Sequence, residues 1–238
     1  MPSTTGLRPY ARAERKADRS SDNRRAALAS FDALPWRERL FVRARLFSAP
    51  LATLAARAPS GRIADVGCGH GLLTALVAAD RPDRTVVGID PDARKISWAL
   101  RGPGRLQNAA FEVAAIETLA AREPGAYDAV VVADVLYLLP VEAWAGFLQA
   151  ARRLLSPEGV LLLKEAEADG SWKHRKCELQ EQVMVRLLRR TQSSGGLQFR
   201  ARAFLEQLLR DAGFKLSETE SLARGYSTPH VLFVARVD

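Results

Sequence analysis

The 238-residue chain is poor in the residues that staple proteins or bind metals. It holds two cysteines, Cys68 and Cys177, and three histidines. No C-x-x-C pair and no nearby His or Asp at ligand spacing accompanies them, so neither a disulfide framework nor a zinc site is readable, and no metal is expected. A reducing, cytoplasmic setting fits that usage. Nor does any apolar run approach the ~20 residues that span a bilayer. The N-terminus is rich in Arg, Ser and acids and lacks the continuous apolar core of a secretory signal. These absences argue against a membrane-spanning chain and against a small cross-linked secreted domain. They leave room for peripheral contact with a membrane surface, and the oligomeric state is not legible.

Hydrophobic residues make up 47% and charged residues 26%, ordinary values that predict one globular domain with its own core. The formal charge is +8, from 35 Lys and Arg against 27 acids. Such a balance favours anionic partners at long range, although the Ala/Arg/Leu-rich background also reads as compositional bias. Residues 1–25 carry Arg8, Arg12, Arg15, Lys16, Arg19, Arg24 and Arg25 with few large apolar residues, which predicts a flexible basic arm. From 26 to 58 apolar residues recur at helical spacing, with Pro35 and Pro50 at helix starts, which predicts a helical extension placed as a lid.

Residues 59–238 alternate short β-branched runs with helical stretches: "RIADVG", "TVVGID", "FEVAAI", "YDAVVVAD" and "GVLLLKEA". That alternation predicts βαβ units and a parallel α/β sheet covered on both faces. The end differs, because "FKLSETES" and "HVLFVARV" are joined by a connection short enough only for a hairpin, so the last strand must run antiparallel to its neighbour. Residues 171–198 read as a helical insertion over the site, with an apolar stripe and a basic side.

"DVGCGHG" lies where an open parallel sheet binds its ligands, beyond the carboxyl end of a strand. Gly67, Gly69 and Gly71 let the backbone turn and approach a ligand closely. Asp90 ends the second strand, where a carboxylate accepts ribose hydroxyls. The spacing is G-x-G-x-G rather than the dinucleotide fingerprint, and Asp65 lies two residues before the first glycine. A carboxylate there repels a pyrophosphate and suits a cationic amino-acid moiety, which favours a ligand with a ribose, an ammonium and a sulfonium.

Together "IADVGCGHG", "VVGIDPD", "YDAVVVADVLYLLP" and "LLSPEGVLLLKEA" resemble the motifs of class I S-adenosylmethionine-dependent methyltransferases, over roughly residues 60–238. The resemblance implies a Rossmann-like, seven-stranded, mostly parallel sheet with an antiparallel last strand, helices on both faces, and S-adenosylmethionine as cofactor. It places Gly67, Cys68, Gly69 and Gly71 around the methionine part, Asp65 near its ammonium, Asp90 and Pro91 at the ribose, and Ala115 and Ile116 against the adenine. Many members carry an Asp after the third strand; this chain has Ala115 there, so backbone groups or Glu117 would hold the adenine. Glu117 equally suits the role of a first-turn helix acid.

The acceptor is expected at the same face. His70, His174 and His230 all fall there, and a neutral imidazole near pH 7 can take a proton from an acceptor. His230 and His174 are the candidate bases, and Tyr137 a further catalytic candidate. Asp134 follows the fourth strand and faces cofactor or acceptor; Lys164 and Glu165 either join the site or pair with each other. The apolar and basic roof suits a small amphiphilic or anionic acceptor, such as a lipid, isoprenoid or polyketide-derived acid. A nucleic-acid substrate is the rival, but "ADVLYLLP" is not the Asn/Asp-Pro-Pro-aromatic motif of amino-methylating enzymes and no Pro-Cys pair offers a nucleophile. The glycine spacing argues against a nicotinamide oxidoreductase, and a non-catalytic cofactor-binding module is the third reading.

Overall fold

The computed structural model describes residues 22–167 and 199–238. The basic arm through residue 21, the 171–198 insertion, His174 and Cys177 lie outside the described residues. Residues 22–29 are helical (α1), so the last four positions of the expected arm belong to a helix. Helices α2 (Trp36–Ser48) and α3 (Leu51–Arg57) follow, each starting after a proline, Pro35 and Pro50. Proline fixes φ without donating a hydrogen bond, and the first helical turn has no acceptor for that donor.

The alternating part then runs β1 (Gly61–Val66), α4 (Leu72–Asp80), β2 (Arg84–Asp90), α5 (Ala93–Arg101), β3 (Ala109–Val113), α6 (Ile116–Arg122), β4 (Tyr127–Ala133), α7 (Val141–Leu154) and β5 (Leu155–Ala166). It ends with α8 (Arg202–Asp211), β6 (Phe214–Ser221) and β7 (His230–Val237). The seven strands are ordered β3-β2-β1-β4-β5-β7-β6. β1 through β5 pair in parallel, and β7 runs antiparallel to both β5 and β6. The order reverses between β1 and β4, so the crevice beyond their carboxyl ends is the switch point at which open α/β sheets bind ligands. β5 begins four residues before "GVLLLKEA" because Leu155 pairs with Tyr127 across a register shift.

Alternate residues of the strands feed two cores. Ala64, Val130, Val132, Leu161, Leu163 and Phe233 pack with Trp144, Leu148 and Leu209 of α7 and α8. Ile63, Ala129, Val131, Leu162 and Leu232 pack with α4, with Phe31 of the turn after α1, and with Val42, Leu51 and Leu54 of α2 and α3. The helical extension is therefore part of a sheet face, with its own share of buried apolar area.

One polar side chain anchors it at the amino end of the sheet. Arg84 is 1% exposed and donates to the carbonyls of Pro59 at 2.9 Å, Ala55 at 3.2 Å, Val77 at 3.2 Å and Ala58, and to Asp80 at 2.9 Å. The Val77 carbonyl lies in the last turn of α4, and those of Ala55, Ala58 and Pro59 lie in the last turn of α3 and just after it, where intrahelical donors run out. Replacing Arg84 by Leu removes the shared donor from these carbonyls and one of the two donors to half-buried Asp80, which keeps Asn23 Nδ2 at 3.1 Å. Chemical denaturation should show a loss of about 2–4 kcal/mol; a loss within experimental error would remove Arg84 as the anchor.

Candidate functional site

The loop after β1 lies at the switch point. Gly67, Gly69 and Gly71 have φ of +75°, +56° and +81°, the left-handed region. A Cβ on Gly67 would meet Val135 at 2.5 Å and one on Gly71 would meet the Phe111 ring at 2.7 Å, whereas Gly69 has open space above it. The loop is thus packed on two glycines and accessible on the third. Cys68 is buried, and burial pushes its thiol well above the usual range, with Asp65 and Asp90 adding to the effect.

Asp65, the penultimate residue of β1, is 2% exposed and accepts from Thr74 Oγ1 at 2.6 Å. Burial raises its carboxyl to about 7, against the opposing pull of the Thr74 hydrogen bonds. Asp90 closes β2 and accepts from Gly69 N at 3.1 Å and Asp92 N at 2.9 Å, with Lys95 Nζ 3.6 Å away. Those bonds fix the carboxylate and tie the loop to β2. Across β2 and β3, Asp90 pairs with Val113, which is 49% exposed. Pro91 is exposed just beyond Asp90, and Ala115, also exposed, precedes the first turn of α6, with Ile116 buried and Glu117 exposed. An open glycine, two buried acids and an exposed valine thus gather at the carboxyl ends of β1, β2 and β3.

Beyond β4 lies a second group. Asp134 has φ +61°, which Asp tolerates better than most residues. Its carboxylate accepts from Lys164 Nζ at 2.5 and 2.6 Å and from Arg45 of α2. Burial pushes this carboxyl up, but Lys164 and Arg45 outweigh it and hold Asp134 well below the ordinary range. Lys164 is 0% exposed, and burial lowers its ammonium against the raising pull of Asp134. Asp134 was expected at cofactor or acceptor; the structure commits its carboxylate to this ion network.

Lys164 and Glu165 do not pair. Successive strand residues point to opposite faces, and Glu165 instead accepts from Val135 N at 3.0 Å and Leu136 N at 2.9 Å through Oε1. Burial raises its carboxyl well above the ordinary range, with Asp134 adding to the effect. The turn it holds, Leu136–Leu138, carries Tyr137, which is buried and stacked on Phe199 with centroids 4.9 Å apart.

His230 opens β7 opposite Ala166 and is 3% exposed. Its Nε2 lies 3.2 Å from the Ser48 carbonyl. That carbonyl can only accept, so Nε2 carries the hydrogen and Nδ1 presents a lone pair. Among the described residues Nδ1 is buried without a hydrogen-bond partner. Burial, followed by Lys164, lowers the ring to about 3, so it is neutral at pH 7. His70 points elsewhere, to Glu38 at 2.9 Å, with Phe41 against its ring.

Thr74, Lys95, Arg45, Glu38 and Ser48 were not among the expected site residues. Thr74 had a signal as the lone polar residue within the apolar run of α4. Glu38 and Arg45 lie seven apart on α2, two turns along one face shared with Phe41 and Val42. Ser48 acts through its carbonyl, which no side-chain pattern reports. Among the described residues no group of His, Cys, Asp or Glu is placed to hold a metal ion.

A switch-point glycine loop, an acid ending β2 and a reversed last strand define the fold and site of class I S-adenosylmethionine-dependent methyltransferases. A family model described as "Methyltransferase domain" matches residues 36–219; the chain belongs to that family, and its cofactor is S-adenosylmethionine. It is 33% identical over 105 residues to a ubiquinone biosynthesis O-methyltransferase of Xanthomonas campestris pv. campestris, covering 44% of this chain and 43% of that protein. The chain spans less than half the length of the curated relatives it matches. In fold it is similar to an O-methyltransferase family protein of Burkholderia thailandensis, with TM-score 0.65 and 18% identity over 85% of this chain and 59% of that one. It is also similar to a methyltransferase of calicheamicin biosynthesis solved in its SAH-bound form, with TM-score 0.62 and 23% identity over 85% and 55%.

The raised Asp65 carboxyl gives a signed expectation. The fold keeps this proton up to about pH 7, whereas the unfolded chain loses it near pH 4. The group's contribution to stability is therefore lost as pH rises through that window. The melting temperature of Asp65→Asn minus that of the wild type, both without cofactor, should increase from pH 5 to pH 8. A difference that stays flat would mean Asp65 is ionised at no cost.

Proposed function

We propose that the protein transfers the methyl group of S-adenosylmethionine to an oxygen of a small amphiphilic or anionic acceptor, of the lipid, isoprenoid or polyketide-like class. The observation that carries the acceptor side is the buried Nδ1 lone pair of His230, whose tautomer the Ser48 carbonyl sets. A buried acceptor without a partner is costly unless a ligand donor meets it. The name of the Xanthomonas relative, an O-methyltransferase of ubiquinone biosynthesis, supports oxygen as the acceptor atom and an isoprenoid-type product.

On the cofactor rim the residues fit the group. Asp65 suits the ammonium, because a cation there favours the ionised form that burial disfavours. Asp90 suits the ribose hydroxyls; Gly69 leaves room beside the methionine part, Val113 offers an apolar edge to the adenine ring, and the Ala115–Ile116 backbone offers polar groups to it. When bound, the cofactor supplies a methyl group activated by a positively charged sulfur.

The chain's residues then align and exclude water. His230 accepts the hydrogen of the acceptor hydroxyl at Nδ1 and so fixes the direction of the oxygen lone pair. Its ring stays neutral across the physiological range, and taking the proton outright would charge a buried group near Lys164. Hydrogen-bond acceptance is the role these energetics favour: as the sulfur–methyl bond breaks and the oxygen–methyl bond forms, with the demethylated cofactor as leaving group, the hydroxyl proton would pass to solvent water. Asp134, Lys164 and Arg45 hold α2, and thereby the Ser48 carbonyl, in place behind the ring.

Two measurements test this reading. Asp90→Ala should weaken S-adenosylmethionine by about 1–3 kcal/mol in calorimetry, through loss of charge-assisted hydrogen bonds; unchanged affinity would remove its ribose role. On a panel of phenolic and carboxylic amphiphiles, His230→Ala should lower kcat by ~10²-fold while sparing cofactor affinity. His230→Gln, which keeps an acceptor, should recover part of that loss. Full turnover in His230→Ala would sink the assignment.

A further inference from the structure

Helix α2 is apolar on two sides. Its inner side buries Val42, packs Phe41 and Leu46 against the core, and carries the contacts of Glu38, Arg45 and Ser48 to the site. Its outer side presents Trp36 at 66%, Leu40 at 60% and Phe47 at 78% exposure, the most exposed large apolar side chains among the described residues. At 3.6 residues per turn these three fall within an arc of about 40° and reach about 16 Å along the helix. Exposed Arg43 and Ala44 border that arc. Exposed Arg37 flanks it on one side, 5.4 Å from the Trp36 ring centroid, and half-buried Arg39 flanks it on the other. Glu38, the single acid of α2, is on the inner side against His70.

We propose that this outer face docks the protein on the surface of an anionic lipid bilayer. Trp36, Leu40 and Phe47 would sit at the boundary of headgroups and acyl chains, with Arg37, Arg39 and Arg43 against the phosphates. An apolar arc flanked by arginines, with an interfacial Trp and no acid, is the pattern of a helix lying in the plane of a membrane interface. Charge complementarity selects this occupant. Two copies meeting through the same face would bring their arginines together. A nucleic acid would use the arginines and leave three large apolar side chains in water. The inference goes beyond the acceptor reading and explains how a membrane-dissolved acceptor would reach the site. The inner side of the same helix touches Asp134 and His230, so a docked α2 places the site about one helix diameter from the headgroups.

The test uses the full chain and vesicles of phosphatidylcholine with or without phosphatidylglycerol, in the absence of cofactor and acceptor, so its failure leaves the methyl-transfer reading untouched. The wild type should co-sediment with the anionic vesicles. Brominated lipid should quench its tryptophan emission, and Trp36→Phe should lose that quenching. Trp36→Ser/Leu40→Ser/Phe47→Ser should lower partitioning ~10-fold or more while keeping the melting temperature and its rise with S-adenosylmethionine. Arg37→Gln/Arg43→Gln should reduce the preference for phosphatidylglycerol. The proposal is overturned if the wild type stays in the supernatant or the triple Ser variant binds as the wild type does. It is equally overturned if the triple variant turns a wild-type dimer into a monomer in light scattering, which would give the face to a second copy.

Discussion

Lys164 is a fully buried ammonium, and the carboxyl end of the sheet is arranged around it. An isolated buried charge is untenable, and a pair is tolerable only when its remaining hydrogen-bonding capacity is met. Asp134 supplies the counter-charge from a left-handed backbone position, with its amide donating to the Lys164 carbonyl at 2.9 Å. Arg45 adds a second cation from α2 and makes Asp134 the joint between the sheet and the helical extension. From this joint follow the position of α2, the carbonyl of Ser48 and the tautomer of His230.

The extension is pinned at both ends of the sheet by different chemistry. At the amino end Arg84 gathers the terminal carbonyls of α3 and α4; at the carboxyl end Asp134, His70 and His230 each take a contact from α2. Apolar burial between these points, through Phe31, Val42, Leu51 and Leu54, supplies the area, but apolar contact is non-directional and would tolerate sliding. The polar anchors set the register. A helical layer held this way can build one wall of a site and still expose its far side.

The sheet was legible from alternation and glycine spacing because parallel strands buried on both faces read as continuous β-branched runs. The hairpin at the end was legible from connection length alone, and β6 and β7 fall where it placed them. The turn at Gly67, Gly69 and Gly71 and the place of Asp90 at the end of β2 were legible because backbone freedom and strand ends are local properties. The ion network was not. Arg45, Asp134 and Lys164 are widely separated in sequence, and their meeting depends on how α2 crosses the sheet. Lys164 and Glu165 are the instructive case, since adjacency suggested a pair while strand pleating sends them to opposite faces.

That pleating lets one strand end control both sides of the site. Lys164 faces the N-terminal helices and fixes Asp134; Glu165 faces the other way and holds the turn that carries Tyr137. The antiparallel β7 completes the arrangement. In a parallel strand the residue beside Ala166 would be a strand's last, leading away into a crossover. Because β7 is reversed, the residue there is its first, His230, fixed by the ladder on one side and by α2 on the other. The reversal of a single strand provides the ladder position, and the Ser48 carbonyl of α2 sets the ring's hydrogen-bonded edge.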